Sequence, residues 1–232
     1  MLTKGMSEIQ TITYAEGDMH VEHALEQRRY LQELTGDDGW LPHKIYGRDD
    51  LDTICLNTEI LSQKRGAGFW CWKPQIILKA LEKRSVVIYI DANDRPTRHD
   101  LGLMLKSLEL TGYVGLRTLH TRWPSMRAWT KRDCFVHMNC DHEIYWDAGK
   151  IHAGLVAFGH HNRAFQFLRE WENYCRKPEI LTDLPSVAPN HPEFQDHRHD
   201  QSILTNLAVR DLGPRLLQNM RDLTAGLVLP TD

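Results

Sequence analysis

Ser85-Val86-Val87-Ile88-Tyr89-Ile90-Asp91-Ala92-Asn93-Asp94 is the stretch that decides the fold. Its apolar run, Val86 to Ile90, is unbroken and rich in β-branched residues, as in a strand buried on both faces of a mostly parallel sheet. Polar residues follow at once, in the position where open α/β sheets take their ligands, past the carboxyl end of a central strand. On both sides of this stretch strand and helix patterns alternate. Strands are expected at Ile9–Ala15, His43–Tyr46, Tyr113–Leu116 and Leu155–Phe158. Helical spacing of apolar residues predicts helices at His20–Leu34, Leu51–Leu61, Gln75–Lys83 after Pro74, Asp100–Leu110, Lys131–Met138, Asn162–Tyr174 and Gln201–Val209. The pattern is α/β: a Rossmann-like, mostly parallel sheet flanked by helices, in one domain spanning residues 1–232.

Composition agrees with a globular chain. The 232 residues are 41% hydrophobic and 25% charged, with a formal net charge of -3, so nothing draws the whole molecule to a polyanion. The five cysteines include no Cys-x-x-Cys pair, which points to idle thiols in a reducing compartment, the cytoplasm. Met1 to Met6 leads into no apolar signal segment, and no apolar run approaches the roughly 20 residues of a membrane-spanning helix.

Four segments carry chemistry. Asp91, Asn93 and Asp94 set three oxygen-bearing side chains within four residues, enough for a hard cation such as Mg2+ or Mn2+, or for a strand-end turn. Arg65-Gly66-Ala67-Gly68-Phe69-Trp70-Cys71-Trp72-Lys73-Pro74 joins two cations, two glycines and three aromatics before a helix start, which suits a phosphate; its alternative is a turn with Phe69, Trp70 and Trp72 as core anchors. His152-Ala153-Gly154 enters a strand with small residues that let a ligand approach the backbone. Asp196 to Gln201 gathers acids, histidines and an amide, and Asp200 also suits a helix N-cap. Two other classes compete. The basic and aromatic run from Arg117 to Arg132, with Trp123 and Trp129, fits a nucleic-acid or glycan binding module, and His197-x-His199 fits a histidine-based metal hydrolase.

Taken in order, these segments resemble nucleotide-sugar glycosyltransferases of the glycosyltransferase A fold, close to small bacterial and viral enzymes with an Arg-Gly-x-Gly-[Tyr/Phe]-Trp-x-Trp-Lys-Pro motif and distantly glycogenin-like. The resemblance covers roughly residues 9 to 210 and includes Trp129-Thr130-Lys131-Arg132-Asp133. It implies metal-dependent transfer of a sugar from a nucleoside-diphosphate sugar, such as a UDP-sugar, to a hydroxyl acceptor: a glycan, a lipid-linked sugar or a modified DNA base. Carried over by position, Tyr14 and Ala15 lie by the nucleoside, and Arg65 and Lys73 neutralise the donor phosphates. Asp91 and Asn93 occupy the Asp-x-Asp metal positions, Asn93 replacing the second carboxylate, with Asp94 beside them. Trp70, His152, Ala153, Gly154 and His199 fall on the substrate side, His152 standing where glycogenin-like enzymes have Asn. Asp200 and Gln201 match the Asp-Gln pair beside the anomeric carbon in retaining members. Those relatives place a histidine ligand beyond the pair; here His197, His199 or water takes that role.

Overall fold

The computed structural model describes residues 9–35, 41–55, 58–117 and 125–224; at 109–110, 116–117 and 214–224 the description is of the backbone alone. The chain is α/β. Its five strands are β1 (Ile9–Tyr14), β2 (His43–Tyr46), β3 (Val86–Ile90), β4 (Tyr113–Arg117) and β5 (Ile151–Gly159), in the spatial order β2-β1-β3-β5-β4. No helix among the described residues is long and apolar enough to cross a membrane. The described residues form two compact units, one from parts of 1–56, 74–115 and 154–168, the other from parts of 57–73, 116–153 and 169–232.

The first unit holds the sheet. β1 pairs in parallel with β2 and with β3, and β3 pairs antiparallel with β5. The sheet is therefore mixed, with the mostly parallel centre that was expected and one antiparallel pairing that was not. The apolar run of β3 reported burial correctly, since Val87 to Ile90 are at most 1% exposed, but burial on two faces does not specify strand direction. β5 is also longer than the expected Leu155–Phe158, because Ala153 and Gly154 continue the strand instead of forming its entry. Helix Asp18–Thr35 follows β1 after Gly17, whose φ of +80° suits the turn between them. Helix Arg98–Thr111 starts in a capping box, Thr97 and Asp100 each bonding the other's backbone N–H, and stops at left-handed Gly112.

The second unit is mostly helical. The segment expected as one helix over Leu51–Leu61 is two, Arg48–Ile54 and Thr58–Leu61, the latter in this unit. Within the proline-rich segment Pro178 to Pro192, Pro178–Leu181 is a helical turn with proline at its start. The helix expected to end at Val209 runs on as His199–Thr224, broken at Gly213 (φ +74°, ψ 161°), the residue before Pro214. All five cysteines are buried free thiols.

His43, on β2, shares a 2.9 Å hydrogen bond with Thr11 Oγ1 of β1. Burial, helped by the charge of Arg28, lowers its pKa to about 4 from 6.5. Between those values the unfolded chain binds the proton and the folded chain does not, so this contribution is complete above pH 6.5 and is lost as the pH falls toward 4. Urea unfolding followed from pH 7 to 4 is expected to show stability falling over that window, with a shallower fall in His43→Gln.

Candidate functional site

In the first unit, β1 is flanked by β2 on one side and β3 on the other, so the chain leaves its carboxyl end in one direction and later returns on the opposite side. This is the topological switch at which open α/β sheets open a crevice. Ile12 pairs with Tyr89, which brings Tyr14, at the end of β1, level with Asp91 past the end of β3. Ala15 and Ala92 are buried together with Ala24, and Ile45 packs against them. The Tyr14 hydroxyl donates to Glu16 at 2.6 Å, and burial together with that carboxylate raises its pKa well above the ordinary value.

The turn after β3 is pinned from beneath. Asp94 N–H donates to Asp91 O at 2.8 Å, closing the turn, and Asp91 N–H donates to Gly154 O at 2.7 Å. Gln27, fully buried, donates its amide to Asp91 O at 2.6 Å and Asp94 O at 2.8 Å. Arg95 donates to Ala92 O at 2.7 Å and Asp94 O at 3.0 Å. With the backbone occupied in this way, the side chains of Asp91 and Asp94 are half-exposed and that of Asn93 is exposed. Asp91 Oδ1 accepts the Tyr89 hydroxyl at 2.6 Å, which orients the carboxylate. The donor set is two carboxylates and an amide oxygen, chemically suited to Mg2+ or Mn2+, ions that bind one or two carboxylates and take the rest of their shell from water and phosphate. Among the described residues no three His, Cys, Asp or Glu side chains converge on a common point.

Sequence reasoning did not single out Gln27 or Arg95. A signal existed for Gln27: it lies on the stripe of Ala24 and Leu31, at helical spacing, and all three are buried.

In the second unit, Gly66 to Trp70 form a left-handed turn, with φ of +57°, +49°, +96°, +55° and +59°. For L-residues this conformation costs about 1–2 kcal/mol each, and Ala67, Phe69 and Trp70 all bear it. The turn is held by Trp70 N–H to Gly66 O at 3.1 Å and by the Trp72 indole N–H to Gly66 O at 3.0 Å. The glycines are needed for packing as well as for φ. A Cβ on Gly66 would lie 2.5 Å from the Trp70 ring, and one on Gly68 would lie 2.8 Å from Ile60 O and Leu61 Cα. Phe69 and Trp72 are buried anchors, and Trp70 is half-buried.

The cations of this segment already have partners. Arg65 bridges Asp183 at 3.0 Å and Asp196 at 3.2 Å. Lys73 is 2% exposed; its ammonium donates to Ala153 O at 3.0 Å and lies 3.4 Å from Asp200 Oδ2. Asp200 is 4% exposed, its carbonyl accepts the Trp171 indole N–H at 3.1 Å, and it stands in the first turn of helix His199–Thr224. Gln201 donates to Ile151 O at 2.5 Å, and His152 is half-buried.

His199 is buried at a left-handed φ of +45°, its ring 4.9 Å from that of Phe69 and 5.7 Å from that of Trp70. Its Nδ1 meets Leu181 O at 2.8 Å, while Nε2 lies 3.7 Å from Asp183. His197 uses both ring nitrogens: Nε2–H donates to Ile180 O at 2.8 Å, and Nδ1 accepts Lys131 N–H at 3.3 Å. Burial lowers both pKa values and keeps both rings neutral. With no nitrogen left on His197, the pair offers a metal no bidentate grip, and the hydrolase reading gains no support from it.

The cations of the basic run whose side chains are described are likewise committed. Lys131 donates to Thr182 O at 2.8 Å and Leu184 O at 3.1 Å, Arg132 pairs with Asp141 at 2.7 Å, and Arg127 pairs with Asp147 and Glu193. Asp133 accepts Val187 and Ala188 N–H at 2.8 and 2.9 Å, so Lys131 and Asp133 staple the proline-rich loop to helix Arg132–His137. Arg122 and Trp123 lie outside the described residues. Neither a known protein family nor a curated protein matches the chain in sequence comparison.

The left-handed turn makes a direct prediction. Gly68→Ala adds a Cβ against backbone atoms at a left-handed φ and is expected to cost about 2–4 kcal/mol in chemical denaturation. A loss below about 0.5 kcal/mol would mean that the turn relaxes freely.

Proposed function

We propose that the chain is a metal-assisted glycosyltransferase of the glycosyltransferase A fold, moving a sugar from a nucleoside-diphosphate sugar, in the first instance a UDP-sugar, to a hydroxyl acceptor. The observation that supports this most is the crevice between the carboxyl ends of β1 and β3, where Tyr14 and Ala15 stand level with the pinned turn Asp91 to Asp94. A nucleoside fits against the end of β1, and its diphosphate falls toward the carboxylates past β3. Asp91, Asn93 and Asp94 would hold the divalent cation that neutralises charge gathering on the leaving diphosphate.

The chemistry asks little else of the protein. In transfer with retention, the acceptor oxygen bonds to the anomeric carbon, the bond from that carbon to the diphosphate oxygen breaks, and the acceptor proton passes to the departing phosphate. No strong general base is required. By the resemblance alone, Asp200 is the carboxylate that would stabilise positive charge developing on the sugar, with Gln201 orienting it; within the second unit the ammonium of Lys73 lies 3.4 Å from Asp200 Oδ2. Lys73 therefore serves Asp200 in this reading, and contact with the donor phosphates is not its role. A glycan, a lipid-linked sugar or a modified DNA base remains the acceptor class.

Purified protein incubated with a panel of nucleotide sugars and Mn2+ is expected to release nucleoside diphosphate slowly, and Asp91→Ala is expected to reduce that release roughly 100-fold. Equal rates in the variant, or no nucleotide binding by the native protein, would overturn the proposal.

A further inference from the structure

Among the described residues three lysines are nine-tenths or more buried: Lys73, Lys131 and Lys150, at 2%, 3% and 6% exposure. The ammonium groups of Lys73 and Lys131 donate to backbone carbonyls at 2.8–3.1 Å, and Lys73 also faces Asp200. Lys150, just before β5, has neither. Its Nζ sits 4.1 Å from the centroid of Trp129, and the guanidinium of Arg198 lies 4.5 Å from the same ring. Two cations therefore share one indole. The quadrupole of the ring attracts them but offers no lone pair to accept a hydrogen bond.

The surrounding charges do not balance. Arg198 reaches Asp196 only at 3.7 Å, and that carboxylate is already engaged by Arg65 at 3.2 Å. The second carboxylate, Asp183, pairs with Arg65 and lies beside neutral His199. Three cations thus face two carboxylates, and Arg198 Nε is buried with no hydrogen-bond partner. A buried donor left without an acceptor, as Arg198 Nε is, is costly.

We propose that Lys150 and Arg198, over Trp129, form a binding site for a phosphate-class oxyanion: inorganic phosphate or the phosphoryl group of a nucleotide. Such an anion accepts from the ammonium and from the guanidinium at once and supplies the missing negative charge. The side chain of Arg198 is 40% exposed, which leaves the site open to solvent. Burial, with repulsion from Arg198, already lowers the Lys150 pKa to about 8 against the pull of Asp196, and a bound anion would raise it again. The site stands whether or not a sugar is transferred.

The test uses the full chain at pH 7, without metal, in calorimetry and thermal shift with inorganic phosphate and, separately, with UDP. Saturable binding and a rise in Tm are expected for the native protein. Binding is expected to weaken at least about tenfold in Lys150→Met and in Arg198→Gln. Lys150→Met keeps an unbranched side chain, one atom shorter, and removes the charge, so its unliganded Tm is expected to match or exceed that of the native protein. Phosphate alone binding identifies a free-phosphate site; UDP displacing phosphate identifies a nucleotide site. No binding of either, or equal binding in Lys150→Met, overturns the inference. UDP bound equally well by both proteins would do so while leaving the proposed transferase intact, whereas phosphate bound at Lys150 with no donor turnover would separate the two readings the other way.

Discussion

The amide of Gln27 donates to two carbonyl oxygens, Asp91 O and Asp94 O, at the two ends of the turn that leaves β3. Asp91 O also accepts the Asp94 N–H and Asp94 O also accepts Arg95, so each carbonyl is doubly satisfied, as buried backbone acceptors with two lone pairs can be. By meeting both, one side chain from helix Asp18–Thr35 ties together the two ends of the turn past β3. The turn is thus held by side chains from outside it, Gln27 and Arg95, and the Asp91 carboxylate accepts the Tyr89 hydroxyl.

The second unit follows the opposite logic, placing charge inside and neutralising it there. Lys73 faces Asp200, Lys131 holds two carbonyls of the proline-rich loop, and Asp133 collects two N–H groups of that loop. Burial tends to raise the pKa of Asp133, but the Ala188 and Val187 amides and the Ser186 hydroxyl outweigh it and hold the carboxyl below its usual range. Buried pairs of this kind add little net stability, yet each half is expensive without the other, so they fix geometry more than they stabilise it. The left-handed turn Gly66 to Trp70 belongs to the same design: local strain held in place by the Trp72 indole and by rings packed on His199.

Several features read from the residues match the structure because they depend on local patterns. The strand His43–Tyr46 and the start of helix Asn162–Cys175 lie where alternation and helical spacing placed them, and burial of β3 follows from its apolar run. The strand–turn junction at Asp91 was legible for the same reason. The antiparallel pairing of β3 with β5 was not, since direction is set by how the chain returns, which residues 86–90 do not encode. Nor were the fates of the cations. Arg65, Lys73, Lys131 and Lys150 are the same two residue types in sequence; their partners lie up to 131 positions away, as for Arg65 and Asp196.

The amino-acid sequence by itself determined the α/β class, the buried central strand and the polar turn behind it, because hydrophobic periodicity and turn chemistry act over a few neighbouring residues. Only the tertiary structure decided which glycines serve packing, which lysines are neutralised and which one is left facing an aromatic ring, because burial and charge pairing are properties of residues brought together from distant parts of the chain.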